Sequence, residues 1–399
     1  LYGFKEHEFL GISVTDLRRL PFSRLREYKK KLVVLQPVTF RNKRDFNAHR
    51  LLRAIDNNTL LSKLPKEEEG NPDEKMFAIE NLAKAFSEYP FILENTRELM
   101  DRCSIYFDFS AEKETRNLNT YTGTQEEDEV LIEEHCQKGL PYRDPEADEA
   151  IFNRLEKELG LIKQKGFVSY FLINWDIVSE ARKRGFFYVG RGSGANSIVA
   201  YLLRITDVDP IELDLYFERF INLYRVNPPD FDIDFSWKDR DEMTHYIFER
   251  FEHVALLGTY VTFKERGIVR ELGKVFGLPK AEIDFMCEGR YRVADLDEVS
   301  RLVLKYGGLI KNMPNYLSIH AGGILITEKP VHFFSATHLP PKGFATTMFD
   351  MVIAEDVGLY KFDILAQRGL AKIKETLQVL ALNQPEEFTK VDIHDIKRF

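Results

Sequence analysis

Pro229-Asp230-Phe231-Asp232-Ile233-Asp234-Phe235 spaces three carboxylates two residues apart. In a strand, that alternation turns Phe231, Ile233 and Phe235 to one face and the aspartates to the other, with same-face neighbours roughly 7 Å apart. A row of like charges repels itself, and buried carboxylates stay ionised only when something compensates them. Divalent cations do so. Two of them bridged by carboxylates about 3.5–4 Å apart stabilise the attacking and leaving oxygens of an in-line phosphoryl displacement. Such a site needs a carboxylate from elsewhere, and Gly358-Leu359-Tyr360-Lys361-Phe362-Asp363-Ile364-Leu365 offers Asp363 beside Lys361 in a second alternating run. An Asp-x-Asp-x-Asp run also opens a calcium loop, but that loop needs Gly at its sixth place and Glu at its twelfth. Phe235 and Asp241 stand there. An edge strand showing its acids to water is the remaining structural alternative.

The elements that would position these acids start with Phe186-Phe187-Tyr188-Val189, which reads as a strand. Gly190-Arg191-Gly192-Ser193-Gly194-Ala195-Asn196-Ser197 follows, then a helical run from Ile198. A strand, a glycine-rich turn and a helix make backbone N–H groups converge on an anion, and Arg191 adds a bidentate donor for phosphate. The turn has neither the Gly-Lys-Ser/Thr ending of a P-loop nor the Gly-x-Gly-x-x-Gly spacing. A plain capping turn is the alternative; beside the aspartates, phosphate binding is the favoured reading. Arg266, Arg270 and Lys274 recur four apart in a helical pattern over Thr262–Phe276, a stripe suited to a nucleic-acid backbone or to water. His320, in Ser318-Ile319-His320-Ala321-Gly322-Gly323, fits a phosphate, a metal or a structural hydrogen bond.

With 399 residues, 44% of them hydrophobic, the chain can bury a large core and form two to four domains. No uncharged apolar run reaches membrane-spanning length, and the first residues do not resemble a signal peptide. Cys103, Cys136 and Cys287 are scattered and odd in number, as in a reduced cytoplasmic protein without a zinc site. A formal charge of −8 disfavours polyanion binding by the whole surface but leaves room for a local basic groove.

Leu32–Leu35 reads as a strand and Asp45 onward as a helix. Residues 63–73 read as a linker, and about Glu74–Tyr89 and Pro90–Cys103 as helices. Ala111–Asp128 has little to give a core and is expected to be mobile. Phe167–Arg184 is apolar on most sides and reads as a buried helix. Asp239–His253 and Gln367–Leu382 also read as helical.

Taken in order, Gly166-Phe167 with Tyr170-Phe171-Leu172-Ile173, Gly190-Arg191-Gly192-Ser193, Ile205-Thr206-Asp207 with Asp209-Pro210, Phe217-Glu218-Arg219-Phe220, the aspartate run, His320-Ala321-Gly322-Gly323 and Lys361-Phe362-Asp363 resemble the bacterial C-family DNA polymerases, the alpha subunits of DNA polymerase III. The resemblance covers about Leu131 to Leu370. It implies an α+β (mixed α/β) fold, with a polymerase beta-like nucleotidyltransferase palm and a helical thumb insertion. The implied domains are the end of a PHP-like domain (1–62), the first part of the palm with a helical lead-in (63–254), the thumb (255–311), the second part of the palm (312–367) and the start of the fingers (368–399). Asp230, Asp232 and Asp363 would be the catalytic metal ligands for two Mg2+ ions, with Asp234 a supporting acid. Arg191, Gly192, Ser193 and Lys361 would bind the nucleotide, and Arg266, Arg270 and Lys274 would contact DNA.

The implied activity is template-directed DNA synthesis in replication, on template-primer DNA and deoxynucleoside triphosphates. A sliding clamp and a proofreading exonuclease would be partners of the complete protein, which is expected to be cytoplasmic and free of membrane. The chain is expected to be a catalytic-core fragment. A template-independent nucleotidyltransferase and a non-catalytic DNA- or protein-binding fragment are the alternative functions. Pro37-Val38-Thr39 stands where the PHP domain commonly has an Asp-x-His pair, and Asn196-Ser197 replaces the usual Gly-Ser.

Overall fold

The computed structural model describes residues 3–106, 115–144, 146–219, 221–222 and 227–388. Phe220 of the Phe-Glu-Arg-Phe motif, residues 111–114 of the polar stretch and residues 389–399 of the expected fingers start lie outside them. In chain order the elements are β1 (Leu10–Ile12), β2 (Leu32–Val34), α1 (Lys43–Asp56), α2 (Ile79–Ala85), α3 (Pro90–Asp101), α4 (Gln125–Arg143), α5 (Glu149–Gln164), α6 (Val168–Lys183), β3 (Tyr188–Arg191), α7 (Ile198–Leu202), β4 (Asp232–Ser236), α8 (Arg240–Arg250), β5 (Val254–Thr262), α9 (Glu265–Phe276), α10 (Lys280–Glu288), α11 (Glu298–Ile310), β6 (Pro314–Ile326), β7 (Thr337–His338), β8 (Thr346–Thr347), α12 (Met351–Asp356), β9 (Phe362–Gln367), α13 (Arg368–Asn383) and α14 (Pro385–Phe388). Among the described residues, no helix is long and apolar enough to cross a membrane.

The chain divides into two units, Leu1–Tyr106 with Thr262–Asn315 and Phe107–Val261 with Tyr316–Phe399. In the first, β1 and β2 pair in parallel. Helix α1 is capped by Asn42, whose Oδ1 accepts from the N–H groups of Arg44 and Asp45. It turns Leu51 and Ala54 into a core with Ile268 and Leu272 of α9 and Val303 of α11. The division differs from the domains expected above. Residues 63–106 fall outside the unit that holds the aspartates, and residues 255–261, expected to open the helical insertion, are strand β5 of the larger sheet. An apolar face such as that of α1 buries against whatever apolar face is near, and sequence periodicity does not name the partner.

The second unit is built on a seven-stranded sheet in the order β3-β4-β9-β6-β5-β8-β7. Parallel and antiparallel pairs mix, β4 running parallel to β9 and antiparallel to β3. Helix α6 is buried along most of its length, and Tyr170, Phe171, Ile177 and Val178 join Phe231, Ile233, Phe235, Phe362 and Ile364 in the main core. Ile233 and Phe235 of β4 and Phe362 and Ile364 of β9 thus serve one core, and the alternation leaves the aspartates on the opposite face. Strands β5 and β6 divide theirs: Leu256, Ile324 and Ile326 face the main core, whereas Leu257 and Leu325 pack with Ala354 of α12 and Val357 just after it.

The polar stretch before α4 contributes more than its composition promised. Asn117 is buried, accepts at Oδ1 from the Tyr360 N–H (2.7 Å) and donates through Nδ2 to the Tyr360 carbonyl (2.7 Å). It thereby grips the chain just before Lys361. Asp128 is also buried, accepting from the N–H groups of Tyr121 and Thr122, both at 2.7 Å. A side-chain amide that mimics a strand partner carries no hydrophobic signature, so composition alone reads it as loop.

Candidate active site

Strands β3, β4 and β9 align their chemistry in one row. Arg191 lies opposite Asp232, and Asp232 lies opposite Asp363. Residues directly opposite across a sheet present their side chains on the same face. The row continues to Gly323 of β6, which pairs with Asp363 and carries no side chain. Asp232 and Asp363 are 131 residues apart in the numbering yet adjacent in space.

The turn after β3 fixes the third carboxylate. Gly192 has φ of +97°, and a Cβ there would stand 2.5 Å from the Asp230 carbonyl oxygen. A Cβ on Gly194 would lie 2.2 Å from the Phe231 ring. Only glycine meets both demands, the left-handed backbone and the close approach. The turn in turn holds the aspartate segment. The Asp230 N–H donates to Ser193 Oγ (3.0 Å), and the Gly194 N–H donates to the Asp230 carbonyl (3.0 Å). Asp230 is exposed at the mouth of the row, Asp232 half-buried and Asp363 buried.

Four carboxylates face two cations here. Arg191 spans two acids, with Nε 2.7 Å from Asp234 Oδ2 and Nη1 2.6 Å from Asp232 Oδ2. Lys361 Nζ pairs with Asp363 Oδ2. Asp234 is buried and accepts the charge-assisted bond from Arg191 Nε. Burial raises the Asp232 carboxyl above its ordinary range, with Arg191 opposing and the neighbouring Asp363 adding to the rise. The hydrogen bond to Asp234 holds the Arg191 guanidinium protonated more firmly than usual. Among the described residues, Asp363 Oδ1 is buried without a hydrogen-bond partner.

That orphaned oxygen and the surplus of hard carboxylate donors fit a divalent cation such as Mg2+. As placed, no three His, Cys, Asp or Glu side chains among the described residues are grouped to hold an ion. Asp230, Asp232 and Asp363 are gathered by strand register and turn, with the cations Arg191 and Lys361 occupying the space between charges.

Residues with no expected role support the row. Tyr170 of α6 stacks on Phe231 with ring centroids 5.7 Å apart and tilts against Phe362 at 4.9 Å, beneath both aspartate strands. Arg240 at the start of α8 reaches two carbonyls, Nε to Ile364 (3.1 Å) and Nη2 to Ala321 (2.9 Å). It fastens β9 beside the row and lines a cavity of about 290 Å³ with Asp241, Thr244, Ser318, His320 and Lys342. His320 Nδ1 accepts from the Gly323 N–H at 2.8 Å, so the structural hydrogen bond is the one formed. Burial keeps its ring neutral more readily, although Asp363 pulls the other way.

Glu158 of α5 is fully buried behind the glycine turn. It accepts from Ser197 Oγ (2.7 Å), the Ile198 N–H (2.9 Å) and Arg154 Nε (2.5 Å), which anchors the start of α7. The signal was present in the sequence, because Ile151, Leu155, Glu158 and Ile162 fall on one helical face. Burial, opposed by Arg154 and Ser197, pushes the Glu158 carboxyl from 4.5 up to about 7. The folded chain therefore keeps a proton that the unfolded chain has released, and stability falls as pH rises from about 4.5 to about 7. Thermal midpoints measured across that window should decline in the wild type relative to Glu158→Gln. Parallel curves would assign the proton elsewhere.

Helix α9 presents Arg266, Arg270 and Lys274 on its exposed side. Lys274 pairs with Glu271 at 2.6 Å, and Arg270 approaches Asp284 at 3.9 Å. The stripe is a mixed-charge surface, with Arg266 the residue on it that has no ion pair among the described residues.

The profile of the family described as the bacterial DNA polymerase III alpha NTPase domain matches residues 130–366. The chain belongs to the bacterial DNA polymerase III alpha family. Among its relatives, the DNA polymerase III subunit alpha of Bacillus subtilis is 33% identical over 382 residues, covering 90% of this chain and 33% of the relative. An error-prone DNA polymerase of Symbiobacterium thermophilum is 32% identical over 370 residues, covering 88% and 34%. The subunit alpha of Escherichia coli K12 is 28% identical over 411 residues, covering 92% and 35%. The chain thus spans about a third of the length of these relatives. The segment shared with the DNA polymerase III alpha family contains the glycine turn, the aspartate row and α9.

Proposed function

We propose that this chain carries the catalytic palm of a bacterial replicative DNA polymerase, and that the complete protein performs template-directed nucleotidyl transfer. The observation that carries the reading is the register placing Asp232 opposite Asp363, with Asp230 held to the Gly192-Ser193 turn. The primer 3'-oxygen, having lost its proton, forms a bond to the α-phosphorus of a deoxynucleoside triphosphate as the bond to the bridging oxygen breaks and pyrophosphate leaves. Two Mg2+ ions held by Asp230, Asp232 and Asp363 would supply neutralisation of the charge on the attacking and leaving oxygens.

The chain's own residues orient the triphosphate. The Gly192-Ser193 backbone and Arg191 receive its phosphates, and Lys361 lies beside Asp363 to do the same. Arg191 exchanges carboxylate for phosphate as the site fills, so the resting ion pairs keep the acids from repelling one another. Within this reading the larger sheet is a polymerase beta-like palm, 107–261 with 316–367 rather than 63–254 with 312–367. The helices after β5 are the thumb, and residues 1–62 are the end of a PHP-like domain. Residues from 368 open the fingers. Arg266, Arg270 and Lys274 follow the template-primer backbone. The complete cytoplasmic protein would meet a sliding clamp and a proofreading exonuclease.

Primer extension by the complete protein on templates differing at a single base tests the reading. Incorporation should follow the complementary base. Addition that ignores the template would instead favour a template-independent nucleotidyltransferase.

A further inference from the structure

Residues 18–31 hold seven Lys or Arg against the single acid Glu27, in a chain whose formal charge is −8. Six of them lie on three consecutive 3₁₀ segments, Asp16–Arg18, Leu20–Phe22 and Arg24–Lys31, and Arg19 joins the first two. Arg18, Arg19, Arg24, Arg26, Lys29 and Lys30 are exposed. Among the described residues, none of these six has a carboxylate within ion-pair distance. Asp16, the acid at the start of the run, is turned to the Ser13 N–H at 3.0 Å.

Between Arg19 and Arg24 in the sequence stands Phe22, 93% exposed, while nearby Leu20 is 3% exposed and anchors the segment. The end of the run is tied to the rest of the unit. Asn95 Nδ2 of α3 donates to the Lys29 and Leu32 carbonyls at 2.7 and 2.8 Å, and Lys31 Nζ reaches the Lys5 and Glu6 carbonyls.

We infer that this face binds single-stranded nucleic acid, its cations following the phosphates and Phe22 stacking on a base. Stacking on an exposed ring needs an unpaired base, since a duplex keeps its base faces covered. The phosphate contacts carry the affinity and make it depend on salt. The face belongs to the unit without the aspartates, so the inference does not depend on the proposed chemistry.

The test is anisotropy of a fluorescein-labelled twenty-nucleotide dT strand titrated with the whole chain in EDTA at several salt concentrations. Phe22→Ala should weaken binding about 10-fold, as loss of one stacked base does. Arg18→Gln/Arg19→Gln/Arg24→Gln should lower the slope of log affinity against log salt by about 2, at roughly 0.7 per lost phosphate contact. Asp232→Asn should change neither, which separates this face from the candidate active site. Circular dichroism melts confirm that each variant is folded. Unchanged affinity and slope in the Phe22 and arginine variants would overturn the inference. So would competition by poly-glutamate as strong as by the strand at equal charge, which would reassign the face to an acidic protein.

Discussion

Asp232→Asn in the complete polymerase should reduce nucleotide incorporation by roughly 10³-fold or more, since charge stabilisation at the reacting phosphate is lost. The substitution keeps the shape and removes the charge at the centre of the row, between Arg191 and Asp363. Burial already disfavours the Asp232 carboxylate, so replacing it should leave the thermal midpoint level or slightly higher. Template-primer affinity should stay within about 3-fold, because phosphate contacts elsewhere carry it. Single-turnover incorporation measured beside DNA binding and thermal melting separates these effects. A folded variant retaining turnover within about 10-fold of the wild type would remove Asp232 from the chemistry.

Phe231→Ala should cost about 3–5 kcal/mol of stability, the range for removing a buried aromatic ring. Phe231 is 1% exposed, stacks on Tyr170 and meets Phe171 edge-on at 5.1 Å. The ring also fills the space that Gly194 leaves open, so the cavity would open directly under the glycine turn. Its neighbours in the chain are Asp230 and Asp232, so metal and nucleotide binding should weaken alongside stability. Phe231→Leu keeps more of the volume and should cost much less. Denaturant unfolding of the two variants gives the comparison. A loss below about 1 kcal/mol for Phe231→Ala would mean that the site collapses around the gap.

Much of this arrangement was legible before any coordinates, because alternation is a strong signal when both partners repeat it. Phe231, Ile233 and Phe235 against the aspartates, and Phe362 and Ile364 against Lys361 and Asp363, each specify a strand with one buried face. What alternation leaves open is pairing. Nothing in spacing alone makes Asp232 and Asp363 direct neighbours, since register is set by long-range packing of the apolar faces. Polar residues that act as scaffolding were also hidden. Asn117 bonds to both backbone groups of Tyr360 yet reads locally as an ordinary surface residue, and Glu158, although it falls on an apolar helical face, gives no sign in the sequence that it receives Ser197 and Ile198. Domain limits were the least legible: α1 joins the core of α9 and α11 across more than 200 residues of chain. His320 shows the converse, a suggestive residue whose structural hydrogen bond to Gly323 is the one formed.

We propose that Asp230, Asp232, Asp363 and the Gly192-Ser193 turn form one site for metal and triphosphate. Titrating Mn2+ into this chain, with free Mn2+ followed by electron paramagnetic resonance, tests it most directly. The measurement is made with and without a deoxynucleoside triphosphate, for the wild type and for Asp232→Asn/Asp363→Asn. Mn2+ should bind the wild type, more tightly with the nucleotide present, and the variant should lose that binding in both conditions. Binding of equal strength in the variant, or a wild type that takes up no Mn2+ with the nucleotide present, would contradict it.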